Sequence, residues 1–76
     1  MSEDIAEKFK EICEPKRLRH MYAIDVEKAT LDAFSQVGYE PPRSIQKTMD
    51  IVWVNSNRNM FLWQFVYNVW RRCNES

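Results

Sequence analysis

The sequence predicts an all-α domain, a small bundle of three to four helices in a single domain spanning residues 1–76. Three observations predict it. Apolar residues recur at the i, i+3, i+4, i+7 spacing of a helix face. The strong helix breakers are one glycine and three prolines, at positions 15, 38, 41 and 42, and they fall between the periodic segments. The last 34 residues contain neither, and a helical wheel sorts their polar and apolar side chains where a strand pleat does not.

The first helix is expected over about residues 3–13. Ser2 is a good N-cap, and Glu3 and Asp4 follow it in the positive first turn. Ile5, Phe9, Ile12 and Cys13 supply the apolar stripe, and Pro15 stops it. The second helix is read from Val26, Ala29, Thr30, Ala33, Phe34 and Val37, and it ends at Gly38, where a left-handed residue belongs. It has two candidate starts. Asp25 suits an N-cap, whereas Leu18, Met21 and Tyr22 carry the stripe back to about Lys16, so its range is 16 or 25 to 37.

For the remainder, strand and helix compete locally, because Ile, Val and Trp favour strands. Phase decides for helix. On a wheel, Leu62, Trp63, Phe65, Val66, Tyr67, Val69, Trp70 and Cys73 share one broad face, and Gln64, Asn68, Arg71 and Arg72 lie opposite. As strands, both faces would be mostly apolar. Helices are therefore expected over about 43–57 and 59–73. Ile45, Met49, Val52 and Trp53 point inward in the first of them, and Ile51 and Val54 lie off its stripe. The Asn55–Asn59 stretch breaks the two, since Asn and Ser compete for main-chain hydrogen bonds. The turn at 38–42 is expected to fold the third helix back on the second.

Composition excludes several classes. Eleven basic and eleven acidic side chains give zero net charge, unlike a strongly basic nucleic-acid binder. Ten aromatics argue against disorder, and two cysteines are too few for a disulfide scaffold. The acidic start is not that of a secretory signal, and no apolar run approaches the ~20 residues that span a bilayer. The chain thus reads as soluble and cytoplasmic. Cys13, His20 and Cys73 lack a zinc-like spacing, so no metal and no cofactor is expected. One histidine, two remote cysteines and a single glycine offer neither a nucleophile–base pair nor a phosphate-cradling loop, so no catalytic residue is assigned.

What is left points to binding. The apolar face of the last helix covers roughly 200° of its wheel, where ~100° serves one core. Trp53, Trp63, Tyr67 and Trp70 crowd this region, and Trp and Tyr are typical interface anchors. The leading expectation is a small non-catalytic protein, a regulator or inhibitor in kind. It meets a protein partner, or a second copy of itself, through that aromatic face. Two rival sites are carried. Lys16, Arg17, Arg19 and His20, with Tyr22 for stacking, form a candidate site for an anion, a nucleotide or an acidic partner. Arg43, Ser44, Gln46 and Lys47, after the Gly38 turn, outline the recognition helix of a DNA-binding helix-turn-helix.

The neutrality is a cancellation. Residues 1–40 hold six cations and nine acids, net −3, and residues 41–76 hold five cations and two acids, net +3. Opposite halves make head-to-tail attraction between copies an expectation in its own right.

Overall fold

The computed structural model describes the main chain of residues 2–75 and the side chains of residues 5–75. It is all-α. Four helices, α1 (Ser2–Ile12), α2 (Ala23–Gln36), α3 (Ile45–Asn55) and α4 (Leu62–Cys73), follow one another, with a single 3₁₀ turn at Leu18–His20. Extended pairing among the described residues is limited to one antiparallel bridge between Arg17 and Phe61. The side-chain cap expected of Ser2 lies outside the described residues.

Helix α4 is the axis of the bundle. α1, α2 and α3 all pack on it, α1 and α3 most extensively. The turn after α2 therefore delivers α3 onto α4 rather than back along α2, which corrects the expected hairpin. Leu62, Phe65, Val66 and Val69 line the buried side of α4. They meet Phe9 of α1, Val26, Ala33 and Phe34 of α2, and Met49 and Val52 of α3. Burying one such large side chain contributes roughly 1.5–3 kcal/mol. Thr30, the one buried polar side chain among those described, donates its hydroxyl to the Val26 carbonyl at 2.8 Å.

The end of α2 is built as its sequence foretells. Gly38 takes φ +75°. Its N–H donates to the Ser35 oxygen at 3.1 Å, and the Tyr39 N–H reaches back to the Phe34 oxygen at 2.8 Å. These are the paired bonds of a Schellman cap. The Tyr39 and Phe34 rings supply the apolar contact that accompanies it, edge to face at 5.1 Å. Partial burial pushes the Tyr39 phenol upward, and Cys73 beside it adds to the shift.

The start of α2 matches neither expectation. The helix begins at Ala23, Tyr22 is its extended N-cap, and Asp25 sits inside the first turn. Residues 16–20 do not continue it, because their main-chain groups are used elsewhere. Leu18 N–H donates to the Met60 oxygen at 3.0 Å and Arg19 N–H to the Arg58 oxygen at 2.9 Å, while the Lys16 oxygen accepts from Leu62 N–H at 2.9 Å. Leu18 is fully buried in this 3₁₀ turn, whereas Tyr22, expected on the same stripe, is 79% exposed.

Both ends of α3 and the start of α4 shift by two or three residues, and the remaining boundaries by one or none. α3 starts at Ile45, after a turn in which Ile45 N–H donates to the Pro42 oxygen at 3.1 Å. α4 starts at Leu62 because Asn57 closes the preceding turn. Its side-chain oxygen accepts from Asn59 N–H and its carbonyl from Met60 N–H, at 2.8 and 2.9 Å.

Candidate functional site

The basic cluster does not converge. Arg17 turns to the α3–α4 connection: its Nη1 donates to the Asn59 carbonyl at 2.6 Å, and its guanidinium lies 4.4 Å from the Phe61 ring centre. Lys16 Nζ stands 3.4 Å from Glu14 Oε1, both in solvent. Lys16 and His20 border a cleft of about 390 Å³ between the end of α1 and α2, and Glu14, Asp25 and Asp32 line the same cleft. An anion there would face three carboxylates. Arg19 and Tyr22 are exposed, Tyr22 as the cap of α2. The cluster thus splits between a structural clamp and an acidic cleft.

Cys13 lines that cleft too, half-buried. Burial, reinforced by the Asp32 carboxylate, pushes its thiol from 9.0 up to about 11. A thiol shifted this way stays protonated at neutral pH, the opposite of nucleophile activation. Among the described residues no group of three or more His, Cys, Asp or Glu side chains is placed to hold a metal ion. No helix among them is long and apolar enough to cross a membrane.

The four aromatic candidates fall into two places. Trp53 on α3 packs edge-on to Phe65 at 6.1 Å, and Arg58 covers it at 4.5 Å. Trp63, Tyr67 and Trp70 run along one edge of α4 at i, i+4 and i+7. Lys10 of α1 lies 5.8 Å over Trp63, and Tyr67 stacks on Trp70 with ring centres 6.0 Å apart. All four are half-buried and packed against the core. A cation thus lies over Trp53 and over Trp63, and Tyr67 and Trp70 cover part of each other. The edge that stays partly exposed is aromatic and rimmed by charge.

The DNA-reading candidates sit at the start of α3. Arg43 and Ser44 occupy the exposed turn, and Ser44 is the N-cap residue without a side-chain capping bond. Gln46 Nε2 donates to Glu27 Oε2 at 3.0 Å and to Asp50 Oδ1 at 3.1 Å. Its amide is thus tied between two carboxylates, which would repel a phosphate backbone. Lys47 is exposed.

The most exposed large apolar side chains among those described lie away from the tryptophans. Tyr22, Ile24 and Leu31 are 79, 56 and 41% exposed, all at or along the outer side of α2, and Val54 on α3 is 80% exposed. The signal was in the sequence, since Ile24 and Leu31 are seven apart and opposite the buried Val26 and Ala33.

No known protein family, no curated protein and no solved structure matches this chain at a significant level.

Proposed function

We propose that the chain is a small non-catalytic binding protein that works by protein–protein contact, with copies of itself among its partners. One observation carries this reading: four helices already packed on a full core leave apolar area at the surface. That area comprises the α4 edge of Trp63, Tyr67 and Trp70 and the outer side of α2 with Ile24 and Leu31. Aromatic side chains rimmed by charge are the usual composition of interface hot spots. The protonated Cys13 and the solvent-paired Lys16 and Glu14 fit a binding role better than a catalytic one.

Amide-resolved NMR of the pure chain over a concentration series tests it. Shifts or broadening confined to α2, α3 or the α4 edge as concentration rises support the reading. Spectra unchanged up to roughly 0.5 mM overturn the self-associating part.

A further inference from the structure

The structure carries a self-complementary pair of helix faces. The outer face of α2 presents Ile24 and Leu31, two turns apart, with Lys28 between them. Asp25 and Asp32, also two turns apart, run along one side of this pair, and Glu27 along the other. It is an apolar strip with an acidic frame. The outer face of α3 has the opposite character. Lys47, Ile51 and Val54 stand at i, i+4 and i+7, and Arg43 precedes them in the exposed turn. Val54 is 80% exposed, more open than Ile24 or Leu31. It is an apolar strip with two cations, Arg43 and Lys47, and one acid, Asp50, beside it.

We propose that copies of this chain associate by laying the outer face of α2 of one protomer against the outer face of α3 of another. This rests on the self-association put forward above and names the surfaces that perform it. Residues 24, 27, 28 and 31 bound the four-sided hole that a helix offers to a knob, and Val54 is an exposed apolar knob that Ile24 and Leu31 would flank. The α2 face, with Asp25, Glu27 and Asp32 against Lys28, is net −2, and the α3 face, with Arg43 and Lys47 against Asp50, is net +1, so the two faces attract. The aromatic edge of α4 stays outside this contact, available to a different protein.

A charge-swap mixing experiment tests the proposal. One variant carries Asp25→Lys and Asp32→Lys; the other carries Arg43→Glu and Lys47→Glu. All four positions are exposed, and circular dichroism checks that the fold is kept. Each variant alone is expected to lose self-association by at least about tenfold relative to the unchanged chain, because like charges now face each other. Their equimolar mixture is expected to recover it, since every junction then joins opposite charges. Val54→Asp, on a side chain that packs against little, is expected to weaken association to a similar degree. Variants that associate like the unchanged chain, or a mixture that stays monomeric, overturn the proposal. If association is instead lost on Tyr67→Ala, the copies meet through the α4 edge, and the self-association reading stands while this assignment falls. A monomeric unchanged chain overturns both.

Discussion

Arg17 clamps the α3–α4 connection from 42 residues away, its Nη1 on the Asn59 carbonyl at 2.6 Å. The same guanidinium covers the Phe61 ring at 4.4 Å. One side chain therefore closes the last connection of the bundle and shields an aromatic ring. Arg17→Ala is expected to destabilise the fold by about 2 kcal/mol, from one charge-assisted hydrogen bond and one cation–π contact. Arg17→Lys keeps the charge and loses the planar stacking, so about half of that loss is expected. Urea unfolding followed by circular dichroism measures both. A stability unchanged on Arg17→Ala would return Arg17 to the pool of surface cations.

Gln64 caps α4. The Phe61 N–H donates to its Oε1 at 2.8 Å, the reciprocal half of a capping box three residues into the helix. Gln64→Ala is expected to cost about 1 kcal/mol. Gln64→Glu keeps the acceptor and adds a negative charge at the positive helix end, so it is expected to match or exceed the unchanged chain. Thermal unfolding of the two variants side by side reads the difference.

Gly38 is needed for its backbone and not for space. At φ +75° a side chain is strained, yet a Cβ there would meet nothing within 4 Å. Gly38→Ala is expected to cost about 1–2 kcal/mol and Gly38→Asn less, because Asn tolerates the left-handed region. Equal losses for Ala and Asn in urea titrations would point to a steric cause.

Cys13 should react slowly. With its thiol pushed to about 11, it holds roughly 100-fold less thiolate near pH 8 than an ordinary thiol at 9.0. Alkylation by iodoacetamide, read by mass spectrometry in a Cys73→Ser background, is expected to accelerate steeply only towards pH 11. Asp32→Asn removes the smaller of the two causes and is expected to raise the rate modestly, with burial keeping most of the protection. The stability consequence has a definite sign. The folded chain binds this proton more tightly than the unfolded chain, so its contribution is complete below pH 9.0 and is lost as pH rises towards about 11. Unfolding midpoints that rise over that window would contradict the assignment.

The fold was legible where local chemistry and periodicity agree. Gly38 marked the end of α2, and the polar–apolar wheel of α4 separated helix from strand. The start of α2 was not legible, because Leu18, Met21 and Tyr22 have helical spacing while the main chain of 16–19 pairs with 58–62. A pairing 40 residues distant leaves no local trace. The tryptophans were legible as aromatic, and their degree of cover was not. Arg58 over Trp53 and Lys10 over Trp63 are tertiary juxtapositions that a wheel cannot show. Ile24 and Leu31 were visible as a spacing, and only their exposure on the folded chain makes them a surface. The basic run at 16–20 read as one patch because it is contiguous in sequence. The 3₁₀ turn instead sends Arg17 to Asn59 and sets Lys16 and His20 beside carboxylates.

The work proposed for this chain is contact with protein, its own copies included. Sedimentation velocity of the pure, unchanged chain, from low micromolar to roughly 0.5 mM, decides whether it does. A mass that climbs with concentration above the 9.2 kDa of one chain, and falls back when salt screens the charges, is the predicted result. A single 9.2 kDa species at every concentration and at low salt would contradict it.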